Sequence, residues 1–491
     1  MRGTHLLLLA DGWDSGSAGT AGPAGLAGLA AVVGLSERDL VAVIEAALGA
    51  DSGPRRVVVP AQGGPAVVAA VKLTAAHRGP GAPSVAERYF EAGLKLGAAS
   101  AGQPILWVAG GTEPLDEEGA REAASAIDAL WVGAWLGTQR PAAPLDAERR
   151  PGFGDGRAPS AGAELGAVAR GWVRDLVERP ASALGPRELG DEILALAAGM
   201  GRGVTAELWA EEDAKARGFG ALAAVGGGSA RPPVVARLRW AGSGAPGPTL
   251  GVVGKGVTFD SGGLNVKKDP GELAWMKSDM ASAATVAAAL VLASRLAERG
   301  APVEVILPLC DNAVSGTSVR PGDVVTHPDG RTTEIVDTDC EGRLILADGL
   351  AWLRSQGAAA LVDLGTLTDG GAGLRVAGMW SNDAGFAERL QGLAGQVADP
   401  LWAIPLPYGE DAVLESRVAD AKNAPLDRPD VGRHAATFLA EFVGETPWAH
   451  LDIGGGAYLE SPIAGWPEGP TGATTLAVAE AMRAWAAGSL R

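Results

Sequence analysis

The chain has 491 residues, more than a single hydrophobic core usually serves, so its length predicts two domains. Hydrophobic residues make up 47% of the sequence, which excludes a largely disordered chain. The formal net charge of −17 disfavours binding to nucleic acids and to anionic membrane surfaces, because both attract basic proteins. The two cysteines, Cys310 and Cys340, are too few for a disulfide framework or a CxxC zinc site.

The first third of the chain alternates short apolar runs with helical patterns. The run LLLLA, which ends at Asp11, is too short for a signal-peptide core and predicts a buried strand. Apolar runs at 57–60 and 104–110 predict two more strands, and the pattern at about 84–100 predicts a helix. This alternation predicts an N-terminal α/β domain over residues 1–162 with a mainly parallel sheet.

The domain boundary is predicted from a change in composition. Residues 140–162 are rich in Pro, Gly and charge, which predicts an exposed loop. A linker helix is expected over 163–184, with Pro180 ending its regular hydrogen bonding. Strand and helix patterns resume over 185–491, which predicts a second, larger α/β domain. No apolar stretch is long and uninterrupted enough to predict a membrane span.

Residues 337–344, DTDCEGRL, concentrate charge in a chain that is otherwise rich in Ala and Gly. If this segment is extended, Asp337, Asp339, Glu341 and Arg343 lie on one face, because side chains alternate along a strand. Three carboxylates on one face repel one another unless a positive charge lies among them. The face is therefore either solvated or binds cations.

Two upstream segments carry further charged residues. The segment GVVGKGVTFDSGG, residues 251–263, is predicted to end an apolar strand in a glycine-rich stretch that contains Lys255 and Asp260. An isolated glycine-rich segment is more often a surface turn, and this one lacks the Gly-Lys-Ser/Thr ending of a P-loop. Asp279, at the start of a long Ala-rich helix, is by itself most simply an N-cap.

Together these segments favour a metal site. The acids fall where strands end and helices begin, which is where α/β sheets place ligand sites. Oxygen donors with one lysine suit hard or borderline divalent ions rather than a thiolate site. Two such ions side by side are a known device for hydrolysis, in which they activate water and polarise a carbonyl or phosphoryl oxygen.

Several motifs resemble those of the leucyl (cytosol) aminopeptidases, a family of dinuclear metallopeptidases. DTDCEGRL is similar to that family's signature NTDAEGRL, and VGKGVTFDSGG and MKSDM are similar to its upstream blocks. SGTSVRPGDVV, LVDLGTLT, VADAKN and WAHLDI follow in the family's order. The resemblance covers roughly residues 165–485 well and the N-terminal third only loosely.

The resemblance implies a specific site and architecture. The metal ligands would be Lys255, Asp260, Asp279, Asp339 and Glu341, which would bind two divalent ions, Zn²⁺ or Mn²⁺. Lys267 and Arg343 would be the catalytic pair, with a bicarbonate at the arginine. The resemblance also implies a macro-like N-terminal domain and a catalytic domain with a mixed sheet flanked by helices. It further implies peptide substrates with a free N-terminus, a cytoplasmic location and a homohexamer.

The substrate pocket implied by the resemblance contains Met276, Thr366, Asp369 and Gly454. Asp369 stands where the family usually has glycine, and Gly454 where it usually has alanine. In the signature itself, Asp337 replaces an asparagine and Cys340 an alanine. We interpret Cys340 as a buried bystander, since no basic residue is adjacent to it. These differences concern specificity rather than the type of reaction.

Two other functions remain open from the residues. The first is a binding or regulatory protein on the same scaffold, including one that binds nucleic acid. The acidic balance and the complete catalytic set disfavour this reading. The second is a dinuclear hydrolase of another substrate class, such as a phosphoester, which the lysine and arginine would tolerate.

Overall fold

A computed structural model gives the fold of the chain. It describes the backbone of five strands in the first third of the chain and, from residue 160 onward, most residues with their side chains. The described ranges are 4–9, 55–61, 64–72, 105–109, 152–153, 160–241, 247–297, 300–368, 376–397, 399–406, 411–426, 431–463 and 466–490.

The chain divides into two compact units. The first comprises Met1–Gly171 with Gln396–Ala398 and Ser461–Glu468, and the second comprises the remaining residues. The division at Gly171 falls inside a helix, Ala161–Glu178. The domain limits at 162 and 184 stay predictions.

The first unit contains a five-stranded sheet. Its strands are β1 (Thr4–Leu9), β2 (Arg55–Ala61), β3 (Gly64–Lys72), β4 (Ile105–Ala109) and β5 (Gly152–Phe153). They lie in the order β2-β3-β1-β4-β5, and every neighbouring pair is parallel except β2 with β3. The predicted strands at the N-terminus, 57–60 and 104–110 are present, whereas the predicted helix at 84–100 lies outside the described residues.

The second unit is built on a nine-stranded mixed sheet. Its strands are β6 (Val204–Trp209), β7 (Val234–Trp240), β8 (Leu250–Gly254), β9 (Gly256–Asp260), β10 (Val303–Asn312), β13 (Ala360–Gly365), β14 (Ala377–Ser381), β15 (Leu401–Ala403) and β17 (Trp448–Asp452). The order is β15-β14-β17-β13-β8-β10-β7-β6, and β9 pairs with β10. Strands β17, β13, β8 and β10 are mutually parallel, so their carboxyl ends meet at one edge.

Two small sheets complete the strands of this unit. They are formed by β11 (Val324–Thr326), β12 (Thr332–Glu334) and β16 (Ala421–Lys422), and by β18 (Tyr458–Leu459) with β19 (Gly469–Pro470). Strand β12 runs antiparallel to β11 and parallel to β16. The sheet containing β12 precedes the signature segment directly in the chain, and therefore helps to place it.

Helices flank the strands. The described helices are α1 (Ala161–Glu178), α2 (Pro186–Met200), α3 (Glu211–Ala216), α4 (Gly220–Gly226), α5 (Pro270–Trp275), α6 (Ala281–Leu296), α7 (Glu341–Ser355), α8 (Ala384–Gln396), α9 (Gly432–Ala440), α10 (Gly454–Ala457) and α11 (Thr475–Ala487). Helix α1 ends two residues before Pro180, as predicted.

Helix α6 packs unusually close to the sheet. Its residues Ala281–Ser294 are all buried, and the amide of Ala283 donates to the carbonyl of Lys255 at 2.9 Å. A Cβ on Gly254 would lie 2.9 Å from the carbonyl oxygen of Ser282 and 3.0 Å from the Cα of Ala283. The strand and the helix therefore approach backbone to backbone, which only small residues permit.

The stretch that includes α6 is also the most membrane-like in the described part of the chain. Residues Pro270–Leu296 are long and apolar enough to cross a membrane by length and composition. Within the fold, 89% of the most apolar window of this stretch is buried. Burial of this extent is typical of the core helix of a folded domain.

Candidate metal centre

The five predicted metal ligands come together at the carboxyl edge of the parallel strands. Lys255 follows β8, Asp260 ends β9, Asp279 precedes α6, Asp339 lies in a turn, and Glu341 begins α7. One oxygen each from Asp260, Asp339 and Glu341 lie within 4.8 Å of one another. Four of the five are at least 95% buried, Asp339 being the partly exposed member.

Lys255 is the positive centre on one side of this cluster. Its Nζ lies 2.7 Å from Asp279 Oδ1 and 2.8 Å from Glu341 Oε1. The same amine donates to the carbonyl of Thr366 at 2.9 Å, and the Thr366 hydroxyl donates to Asp279 Oδ1 at 2.7 Å. Lys255 thus connects three segments that are far apart in the chain.

Lys267 is the positive centre on the other side. Its Nζ lies 2.6 Å from Asp339 Oδ1, 3.0 Å from Asp260 Oδ2 and 3.7 Å from Glu272 Oε1. Only 9% of its side chain is exposed. The predicted catalytic lysine therefore lies directly against two of the predicted ligands.

Burial and mutual charge shift the acid–base behaviour of the cluster. Burial raises the pKa of Glu341 to about 7 and that of Asp339 to about 6, with the charge of Asp260 adding to both shifts. Burial also raises the pKa of Asp279 well above its usual range, although Lys255 opposes this. A raised carboxyl pKa means that the surrounding groups do not fully stabilise the negative charge of the ionised form.

The pKa values of the two lysines are also raised, which for an amine favours the charged form. Burial acts against the charged form of Lys255, but the negative charges of Asp279, Glu341 and Asp260 outweigh it and raise the pKa of the amine. Burial likewise opposes the charge of Lys267, and Asp260, Glu341 and Asp339 outweigh it. Both amines are therefore ammonium ions at neutral pH in the protein without metal.

The donor atoms of the cluster suit divalent cations. Asp279 Oδ2 and Glu341 Oε2 are buried and have no hydrogen-bond partner among the residues that the structure describes. Such atoms are rare in folded proteins because each costs free energy, so a native one calls for a cation or other partner. Four carboxylates face two ammonium groups, which leaves an excess of negative charge when all are ionised. Oxygen donors of this kind are those that Mn²⁺ and, in part, Zn²⁺ accept.

The signature segment is not extended. Asp337, Asp339 and Cys340 lie in a turn region, and Glu341 and Arg343 belong to the first turn of α7. The expectation that alternate residues share one face is therefore wrong, because the helix begins at Glu341 and rotates the later side chains away. The Arg343 side chain is 1% exposed, and its Nη1 donates to the carbonyl of Asn423 at 2.9 Å.

Other local expectations are also corrected. The glycine-rich segment around Lys255 is not a surface turn, because it is occupied by the buried strands β8 and β9. Asp279 does not cap α6; Met280 holds the N-cap position, and the Asp279 carboxylate faces Lys255. Cys340 is half-buried rather than buried, whereas Cys310 is buried.

The predicted pocket residues are described only in part. Met276 is 7% exposed and lies just before Asp279, and Thr366 bonds to that aspartate. Gly454 begins α10, and a Cβ placed on it would overlap the carbonyl oxygen of Thr368. Asp369 lies outside the described residues.

Sequence reasoning missed three buried polar residues that shape the site. Asn312 donates to Asp260 and to the Thr338 carbonyl, and Asn423 donates to the carbonyls of Asp337 and Cys340. Asp452 accepts from the Thr368 hydroxyl at 2.6 Å and from the Leu367, Thr368 and Gly454 amides. The signal available in the sequence was their position at strand ends, in DN, AKN and HLDI.

The fold and the cluster together define an α/β protein with a candidate divalent-metal centre at the carboxyl edge of its larger sheet. The family follows from the comparison of sequences. The family model "Cytosol aminopeptidase family, catalytic domain" matches residues 171–479. The chain therefore belongs to the cytosol aminopeptidase family, and the matched segment contains every described residue of the cluster.

Individual relatives support this assignment. The chain is 40% identical over 307 residues to "Probable cytosol aminopeptidase 1" of Shewanella oneidensis, covering 61% of this chain and 60% of that protein. It is 41% identical over 304 residues to "Probable cytosol aminopeptidase" of Agrobacterium fabrum, covering 60% of each. The alignments thus span about 60% of the length of these curated relatives.

Solved structures match nearly the whole chain. The bottromycin maturation enzyme BotP has a TM-score of 0.78 at 30% identity, covering 99% of this chain and 100% of that one. A structure of BotP in complex with Mn has a TM-score of 0.79. The cytosol aminopeptidase of Coxiella burnetii has a TM-score of 0.75 at 24% identity, covering 99% of this chain and 98% of that one, which shows the common fold.

Proposed function

We propose that the protein is a metal-dependent aminopeptidase that releases N-terminal residues from peptides. The observation that carries the proposal is the buried cluster of Lys255 with Asp260, Asp279, Asp339 and Glu341, in which two carboxylate oxygens have no hydrogen-bond partner in the described part of the chain. These residues would hold two divalent ions, Zn²⁺ or Mn²⁺. When bound, such ions polarise a carbonyl oxygen and lower the pKa of a water molecule.

The side chains around the cluster have separate tasks in this proposal. Lys267, charged at neutral pH, would donate a hydrogen bond to the oxyanion that develops on the scissile carbonyl. Asp279 Oδ2, which is buried and has no partner within the described ranges, would accept from the free α-amine of the substrate. This contact would restrict cleavage to the first residue, because an internal peptide bond offers no amine at that position.

Two further residues set the surroundings. Arg343 presents a planar guanidinium that can hold bicarbonate, a small anion suited to moving a proton. Met276 and Thr366 would line the space for the first side chain of the substrate, next to Asp279. A cytoplasmic location, supported by the relatives' printed name, and a homohexamer, which only the resemblance of the sequence to the family implies, complete the proposal. A monomeric mass by light scattering at micromolar concentration would contradict the hexamer.

Hydrolysis of leucyl amide before and after metal removal tests the function. Dialysis against a strong chelator should abolish hydrolysis, and Mn²⁺, Zn²⁺ or Co²⁺ should restore it. N-acetyl-leucyl amide is the matched control and should resist cleavage throughout, since it lacks the amine. Full activity in the metal-free protein, or cleavage of the acetylated substrate, would contradict the proposal. A phosphoester assayed in parallel tests the alternative hydrolase reading.

The likeness to BotP favours a second candidate, in which the enzyme matures one particular substrate rather than degrading peptides in general. BotP is 30% identical to this chain over 99% of its length, whereas the cytosol aminopeptidase of Coxiella burnetii is 24% identical over the same share. A panel of aminoacyl amides distinguishes the two. Broad activity supports general peptide degradation, and activity confined to one or two N-terminal residues supports a maturation role.

A further inference from the structure

Asn312 ends strand β10 and contacts two of the three chain segments that supply the cluster with carboxylates. Its side-chain nitrogen donates to Asp260 Oδ1 at 2.8 Å and to the Thr338 carbonyl at 2.9 Å. Only 2% of the residue is exposed. Both acceptors lack a hydrogen to give, so the amide nitrogen must face them, and both of its hydrogens are used.

These two hydrogen bonds connect two segments of the site that are far apart in the sequence. Asp260 ends β9, whereas Thr338 lies one residue before Asp339 and three before Glu341. The main chain of Asn312 strengthens the connection, because its carbonyl accepts from the Ser261 amide at 3.0 Å and the Ser261 hydroxyl at 2.7 Å. Asn312 therefore joins these two ligand-bearing segments at Asp260 itself, beside the bond from the Thr338 hydroxyl to the Gly262 carbonyl at 2.7 Å.

The Asn312 amide also gives the two Asp260 carboxylate oxygens different surroundings. Oδ1 accepts from Asn312 and from the Gly262 amide, each at 2.8 Å. Oδ2 receives no such bond and faces Lys267 at 3.0 Å, on the side of the cluster. With two donors on one oxygen, the carboxylate cannot rotate freely, and the other oxygen stays directed at the cation position.

We propose that Asn312 is a positioning residue for the metal centre: it holds Asp260 and the 338–341 segment at the separation that a divalent ion requires. The inference rests on the proposed metal binding at this cluster. Partners that orient metal ligands typically contribute 10- to 100-fold in metal affinity, which is about the effect expected here.

Asn312→Asp tests the proposal, because it keeps the shape of the side chain and removes both donors. Because a carboxylate at 312 would also repel Asp260, Asn312→Ala, which removes the same donors without adding charge, is measured beside it. Asn265→Asp is the matched control. The Asn265 side-chain oxygen accepts from the Thr338 amide and hydroxyl, so an aspartate there keeps both bonds while adding the same charge.

The measurement is Mn²⁺ affinity by titration calorimetry at pH 7.5, well below the melting temperature of each metal-free variant. We expect Asn312→Asp to bind Mn²⁺ about 10- to 100-fold more weakly than wild type, and Asn265→Asp to bind within about threefold of it. At saturating Mn²⁺, turnover of the Asn312 variant should recover in part. A residue with a purely structural role lowers the melting temperature and leaves the metal affinity of the folded protein unchanged.

The outcomes separate the two claims. If wild type binds no Mn²⁺, the proposed function fails. If wild type binds and Asn312→Asp binds equally well, only the inference about Asn312 is overturned. Should the aspartate variant not fold, Asn312→Ala removes the same donors without added charge and carries the same expectation. If neither variant folds, the role is structural and the inference is likewise overturned.

Discussion

Metal binding should displace a defined number of protons, and that number depends on whether Lys255 is a ligand. Without metal, Lys255 is an ammonium ion that the charges of Asp279, Glu341 and Asp260 stabilise against burial. An ammonium ion has no lone pair, so a lysine that coordinates a metal must lose one proton. The neighbouring carboxyls contribute a second, pH-dependent release because their pKa values are raised to about 7 and about 6.

The magnitude follows from these pKa values. At pH 8, Glu341 and Asp339 together carry about 0.1 proton, so these two carboxyls release about 0.1 on binding metal. If Lys255 coordinates, it adds one proton to the release. At pH 6 Glu341 and Asp339 together carry about 1.4 protons, and apparent affinity falls about 20-fold between pH 8 and pH 6 from these two carboxyls alone. Metal affinity must fall as pH falls, because protons and the metal ion compete for the same carboxylate oxygens.

Calorimetric titration with Mn²⁺ in buffers of different ionisation enthalpy counts the protons directly. Lys255→Met removes the amine and should lower the release by about one, measured at an alkaline pH at which the carboxyls of both proteins are ionised, because the loss of Lys255 also raises the pKa values of Glu341 and Asp279. Lys277→Met is the matched control, since the Lys277 amine donates to the Glu178 carbonyl and not to the cluster. Equal proton release by wild type and Lys255→Met would refute the lysine as a ligand. Equal release at pH 8 and pH 6 would refute the carboxyl argument.

Three further predictions concern single residues. Lys267→Ala should lower kcat by about 100-fold or more with unchanged metal content, because the oxyanion loses its donor; retained activity would assign that role elsewhere. Gly454→Ala should lower the free energy of unfolding by about 1–3 kcal/mol, since its Cβ would overlap the Thr368 carbonyl, whereas Gly199→Ala, with open space around it, should not destabilise; denaturant titration measures both. Asp369→Gly should shift kcat/KM toward leucyl over arginyl amides by about tenfold if Asp369 lines the pocket, and an unchanged ratio would remove it from the specificity site.

Much of the scaffold was predictable because buried strands have a simple sequence pattern. The apolar run before Lys255 predicted a strand there, and the structure has β8 at Leu250–Gly254. Family motifs, rather than periodicity, pointed to the five ligands as one set. The structure brings these five residues into contact, although their coordination of metal remains a prediction.

The parts that sequence reasoning missed depend on contacts between distant segments. The signature segment suggested an extended face, but α7 begins at Glu341 and its helical hydrogen bonds set the side-chain directions. Asn312 acts through Asp260 and Thr338, which are 52 and 26 residues away. An asparagine in a sequence does not reveal which acceptors it will meet, so its role becomes visible only in the fold.

The close approach of α6 to the sheet limits which substitutions the sequence can tolerate at Gly254. Gly254 and Ala283 touch no substrate and carry no charge, yet a larger side chain at Gly254 would push α6 away from Lys255. Asp279 precedes that helix by two residues, so the displacement would reach a proposed ligand. In a scan of all substitutions, Gly254 should therefore tolerate as few alternatives as the charged residues do. At this position the size of the side chain, rather than its charge or polarity, determines which substitutions are tolerated.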